Sequence, residues 1–110
     1  MSTGHIPVLV NEVIELLKPK SSGFYVDGTI GLGGHASAIL QACAPEGRLL
    51  GIDLDSEALA VTREKLSEYK ERLTLVHGNF AHLDCILEKK SIAEVDGVLL
   101  DLGVSSLQLD

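Results

Sequence analysis

The sequence predicts an α/β chain built on a doubly wound parallel sheet. Three observations carry the prediction: short apolar runs alternate with helix-forming segments, a glycine-dense loop follows the first run, and the runs end at polar residues, three of them aspartates. Strands joined by helices in this way form parallel sheets covered on both faces, and such strands are apolar nearly throughout.

The elements follow in order. Over residues 7–18, Leu9, Val10, Val13, Ile14, Leu16 and Leu17 recur with a helical period, and Pro19 stops the helix. After the Ser21-Ser22-Gly23 turn, residues 24–26 form a β-prone run that ends at Asp27 and opens into the glycine loop 28–34. Residues 35–42 are small and apolar enough for a helix lying close to a sheet, Pro45-Glu46-Gly47 closes it, and 48–52 is the next strand, with Asp53 and Asp55 at its end. Residues 56–69 carry good helix formers, with Ala58, Leu59, Val61 and Leu66 facing inward. A third strand over 73–76 leads into His77-Gly78-Asn79-Phe80, a helix follows over 81–90, and a fourth strand over 95–100 ends at Asp101. The fourth strand is expected to be buried on both faces.

Composition limits the function. A chain of 110 residues, 45% hydrophobic and 23% charged, holds one globular domain. Its net charge of −7, with nine scattered basic residues, argues against this segment gripping a phosphate backbone, which needs Lys and Arg to release counterions. No apolar run approaches the roughly 20 residues a bilayer-spanning helix requires, and the N-terminus lacks a secretory pattern, so a cytoplasmic location with no membrane partner is expected. Cys43 and Cys85 stand apart, without metal-ligand spacing, and read as buried free thiols. No metal site is predicted.

In a doubly wound sheet ligands lie beyond the carboxyl ends of the strands. Gly31-Leu32-Gly33-Gly34-His35-Ala36 fits the G-x-G-x-x-G/A pattern, and Asp53 follows at about the twenty-residue spacing of an acid that binds a ribose diol. Both dinucleotide enzymes and methyltransferases use this arrangement. Asp27 favours the second: a carboxylate opening the loop repels a pyrophosphate but stabilises the ammonium and sulfonium of S-adenosylmethionine. Phe80, placed after the third strand, can cover an adenine face while Asn79 meets its edge. Asp101 to Asp110 combines an acid, a glycine, two serines and Gln108, groups able to line a polar pocket. His5 and His35 are available for acid–base work, although loop histidines are more often structural, and His77 and His82 read as structural.

His5-Ile6-Pro7-Val8-Leu9, Asp27-Gly28-Thr29-Ile30-Gly31-Leu32-Gly33-Gly34-His35, Gly51-Ile52-Asp53-Leu54-Asp55, Gly78-Asn79-Phe80 and the segment from Asp101 to Asp110 occur in that order. With these motifs the chain resembles the bacterial 16S rRNA cytosine-N4 methyltransferases called MraW or RsmH. The resemblance implies a Rossmann-like class I methyltransferase fold, incomplete at its C-terminal end, with residues 1–110 as the N-terminal part of the cofactor-binding domain. It implies S-adenosylmethionine held by Gly33, Gly34, His35, Asp53, Phe80, Asp101 and Gln108, to which electrostatics adds Asp27. It also implies methylation of a cytidine amine in 16S rRNA. Many amino-methyltransferases carry an Asp/Asn/Ser-Pro-Pro-aromatic motif after the fourth strand where this chain has Asp101-Leu102-Gly103-Val104, so the catalytic role is read from position alone: Asp101 is the candidate group that accepts the amine's proton. Family members are expected to continue past this segment into an inserted helical region and the rest of the sheet. Two rival readings are an NAD-type dehydrogenase fragment and a non-catalytic cofactor-binding domain that forms a homodimer through exposed sheet edges.

Overall fold

The computed structural model describes residues 14–15, 17–31 and 34–100. Four strands, β1 (Phe24–Asp27), β2 (Arg48–Asp53), β3 (Leu73–His77) and β4 (Gly97–Leu99), form one parallel sheet in the order β3-β2-β1-β4. Three α-helices lie between them: α1 (Gly34–Ala42), α2 (Ser56–Lys65) and α3 (Leu83–Lys89). Of the leading helix expected over 7–18, residues 14, 15 and 17 are described and helical. Lys18, at φ 49°, donates its N–H to the Ile14 carbonyl at 2.9 Å and turns the chain out ahead of Pro19.

Alternating side chains on the strands divide the core into two layers, as the two-residue period of a strand requires. On one face Tyr25 and Leu49 pack with Ile39 and Leu40 of α1 and Leu59 of α2; on the other, Val26, Leu50 and Ile52 pack with Leu83, Ile86 and Leu87 of α3. Tyr25, Val26, Ile39, Leu40, Leu49, Leu50 and Ile52 are all at most 1% exposed. Each fully buried aliphatic side chain of this set contributes about 1.5–3 kcal/mol. Gly51 is a steric necessity in this packing, because a Cβ there would collide with Cδ1 of Ile30, the loop residue folded down on the sheet.

Several expectations are corrected. The 56–69 helix ends at Lys65 and gives way to a 3₁₀ turn, Ser67–Tyr69, while the expected 81–90 helix is a 3₁₀ turn, Phe80–His82, followed by α3. Val61 is 47% exposed, and Thr62, fully buried, takes the inward position, because the core-facing row of α2 steps from Leu59 through Thr62 to Leu66. Cys43 is buried as expected, but Cys85 is exposed on α3. The fourth strand, expected to be covered on both faces, leaves Val98 40% exposed: among the described residues β4 pairs with β1 alone and forms the sheet edge.

The amino end of the sheet is fastened by turns. The Asp96 carboxylate accepts the Phe24 N–H at 2.8 Å, and the Phe24 carbonyl accepts the Asp96 N–H at 2.7 Å. Arg72 donates to the carbonyls of Gly47 at 2.8 Å and Leu40 at 3.0 Å, with its guanidinium 5.6 Å from the Tyr69 ring centroid. Among the described residues no helix is long and apolar enough to cross a membrane.

Candidate functional site

The sheet order reverses at β1: the chain moves outward from β1 through β2 to β3, then crosses back to place β4 on the other side of β1. The crevice of a doubly wound sheet forms at such a switch, and the glycine loop leaves β1 into it. The Gly28 N–H donates to the Leu99 carbonyl of β4 at 2.8 Å, and the Ile30 N–H donates to the Ile52 carbonyl of β2 at 2.9 Å, so the loop is tied to both neighbours. Asp27, 1% exposed, closes its own turn by accepting the Thr29 N–H at 3.1 Å.

Asp53 is held from three directions. Its Oδ2 accepts the Gly31 N–H at 2.7 Å, its Oδ1 accepts the Asp55 N–H at 2.9 Å, and its carbonyl accepts the Gly78 N–H at 2.9 Å. Asp55 caps α2, accepting the N–H groups of Glu57 at 2.9 Å and Ala58 at 3.4 Å. Each carboxylate oxygen of Asp53 has a second lone pair, so the group can still accept hydroxyl donors from a ligand.

Gly31 and Gly34 differ in what they do. Gly31 sits at φ 55°, in the left-handed region that glycine occupies without penalty. Gly34 begins α1 outside that region, and a Cβ built on it would meet no atom of the described residues within 4 Å. Neither backbone strain nor packing asks for glycine at 34, whereas a ligand lying against the helix start would.

Phe80 is half-buried at the same rim: a Cβ on Gly28 would fall 2.5 Å from its Cδ1 and 2.7 Å from Cδ2 of Leu100, so the ring lies against the first residue of the loop. Asn79 caps the Phe80–His82 turn by accepting the Ala81 N–H at 2.8 Å. His35 is half-buried in the first turn of α1. The predicted residues Asp27, Gly34, His35, Asp53 and Phe80 therefore all lie at or after the carboxyl ends of β1, β2 and β3. Gly33, Asp101, Gln108 and His5 lie outside the described residues.

One contributor, Thr62, escaped the sequence reading, and His77 is structural as read. Thr62 donates its hydroxyl to the Gly31 carbonyl at 2.7 Å, and the His77 Nε2 lies 2.9 Å from the Leu54 carbonyl, bracing the turn after β2. The helical spacing of Thr62 from Leu59 and Leu66 was the available signal for it. A cavity of about 490 Å³ at the opposite end of the sheet, lined by Phe24, Pro45, Arg48 and Glu71, lies among the closing turns and away from these groups.

A four-stranded parallel sheet in this order, with a glycine loop at its switch and a fixed acid ending the second strand, is a Rossmann-like fold of the kind class I methyltransferases have. The same fold occurs in TrmN from Thermus thermophilus, with a TM-score of 0.69 and 23% identity over 86% of this chain and 27% of that one. It occurs also in Aeropyrum pernix fibrillarin, solved with natively bound S-adenosyl-L-methionine, with a TM-score of 0.63 and 18% identity over 76% of this chain and 35% of that one. More specifically, the chain belongs to the MraW methylase family, whose profile matches residues 2–110. Ribosomal RNA small subunit methyltransferase H of Geobacter sp. (strain M21) is 54% identical over 106 residues, covering 96% of this chain and 34% of that protein. The chain spans about a third of the length of the curated relatives it matches.

Proposed function

We propose that residues 1–110 are the S-adenosylmethionine-binding part of a methyltransferase acting on N4 of a cytidine in small-subunit ribosomal RNA. The observation that carries this reading is the pair of carboxylates bracketing the glycine loop, Asp27 where it leaves β1 and Asp53 bonded to Gly31. Residues 24–47 contain no Lys or Arg. A pyrophosphate would meet the carboxylates of Asp27 and Asp53 here, whereas a cationic ligand gains from them. The open space at Gly34 fits a ligand in close backbone approach.

In this reading Asp53 accepts the ribose hydroxyls, Gly33 and Gly34 admit the cofactor to the start of α1 beside His35, Phe80 flanks the adenine, and Asp27 lies toward the cationic end. Asp101 and Gln108 complete the set. When bound, S-adenosylmethionine supplies an electrophilic methyl group on a sulfonium. The protein's work is to hold the cytosine amine in line with that carbon, worth several kcal/mol of the barrier, and Asp101 takes up the proton the amine loses as it is alkylated. The relatives' names, ribosomal RNA small subunit methyltransferase H, support the RNA substrate.

Calorimetric titration of the chain with S-adenosylmethionine and, separately, NAD tests the cofactor. Binding of the first alone is expected, and binding of NAD alone overturns the reading. For the reaction, the full-length protein is incubated with small-subunit particles and a labelled methyl donor. Label at cytidine N4, abolished by Asp53→Ala, is the expected result.

A further inference from the structure

Thr62 lies on α2 with its side chain fully buried, yet its hydroxyl does not serve its own helix. A helical threonine commonly turns its hydroxyl back to the carbonyl four residues earlier, here Ala58. Thr62 instead donates across the core to the Gly31 carbonyl at 2.7 Å. Gly31 at φ 55° donates its own N–H to Asp53 at 2.7 Å. The two peptide groups flanking Gly31 are thus anchored to different elements, the preceding one to the end of β2 and the following one to α2. Glycine allows both peptides to rotate, and two anchors remove that freedom.

We propose that Thr62 is a positioning residue: by fixing the peptide after Gly31 it holds Gly31 in its left-handed conformation and keeps the Gly31 N–H on Asp53, so the cofactor meets a preformed cradle. The proposal rests on the S-adenosylmethionine reading above. Apolar packing does not account for the residue, because valine has the same shape without a hydroxyl to satisfy, and Leu59 and Leu66 already supply the apolar surface of this face. Removing the hydroxyl leaves the Gly31 carbonyl without its partner, a loss large enough to read as about a tenfold change.

The test compares wild type with Thr62→Val and Thr62→Ser. Amide hydrogen exchange is followed by NMR in the ligand-free chain, and S-adenosylmethionine affinity by calorimetry. Thr62→Val is expected to speed exchange at Gly31 about tenfold while the amides of β1 and β2 keep their rates, and to weaken cofactor binding by a similar factor. Thr62→Ser, which keeps the donor, restores both. Unchanged Gly31 exchange in Thr62→Val overturns the proposal, as does a uniform acceleration across all strands, which marks a residue of general core stability. Should Thr62→Val fail to fold, Thr62→Ala takes its place, and Gly31 exchange as fast in Thr62→Ser as in Thr62→Ala overturns the proposal equally. A wild-type chain that binds no S-adenosylmethionine defeats the functional reading, while the exchange comparison still decides whether Thr62 holds the loop.

Discussion

The N–H of Gly31 donates to Oδ2 of Asp53 at 2.7 Å, so the loop that leaves β1 and the carboxylate that ends β2 hold each other in place. Charge-assisted bonds of this kind are about twice as strong as neutral ones. The second oxygen is bonded to the Asp55 N–H, so the carboxylate is fixed in rotation and each oxygen keeps a second lone pair.

Replacement of Asp53 therefore removes a ligand group and a structural one together. Asp53→Ala is expected to weaken S-adenosylmethionine binding at least about tenfold and to destabilise the fold by about 1–3 kcal/mol, the usual range for stranded donors. Asp53→Asn, which keeps one acceptor oxygen, should fall between. Calorimetry and urea denaturation measure the two effects, and full affinity in Asp53→Ala would be the decisive contrary result.

Gly31 and Gly34 should respond in opposite ways to alanine. At Gly31 the nearest atom to a built Cβ is the Thr29 carbonyl oxygen at 3.9 Å, so the penalty is one of backbone conformation, about 1–2 kcal/mol. At Gly34 nothing among the described residues opposes a methyl group, and alanine should leave stability unchanged or raise it by about 0.4–1 kcal/mol. Gly34→Ala should nevertheless weaken cofactor binding. Equal affinity in a stable Gly34→Ala chain would remove that glycine from the site.

Arg72 holds the turns at the amino end through the carbonyls of Leu40 and Gly47 and lies over the Tyr69 ring. Lysine cannot reproduce the planar fork. Arg72→Lys is expected to lower stability by about 1–3 kcal/mol, seen as a lower urea midpoint, with little change in cofactor affinity because the side chain is remote from the carboxyl rim.

The two thiols should separate chemically. Burial pushes the Cys43 thiol above its ordinary value of 9.0, an effect that outweighs the charge and hydrogen bond of Arg72, which act the other way. A thiol-directed reagent at neutral pH should modify exposed Cys85 and spare Cys43, as mass spectrometry of the peptides would show. Because the unfolded thiol ionises at lower pH than the folded one, the contribution of Cys43 to stability is complete below pH 9 and fades as pH rises through the folded value. Cys43→Ala should flatten that alkaline loss, and an unchanged slope would count against it.

Much of this arrangement was legible in the sequence, because it rests on local rules. The β-α alternation, the strand-end acids Asp27 and Asp53 and the glycine loop are all set by residue type at fixed spacing. Val61 and Thr62 were harder: they are adjacent on α2, both β-branched, and the inward one is the more polar, a choice made by the Gly31 carbonyl 31 residues away. Arg72 is only one of nine scattered basic residues until the fold brings the Leu40 and Gly47 carbonyls to it. Cys85 and Val98 were misjudged because apolar character fixes a preference for burial, while neighbouring elements decide whether a cover exists.

The fastening of the amino end by Asp96 and Arg72, set against the carboxylates and glycines at the carboxyl end, gives the sheet two poles with separate duties. Thermal robustness can accordingly be altered at one pole by changes that leave ligand recognition at the other alone. Mutational libraries divided along the strand axis should then yield two nearly independent traits.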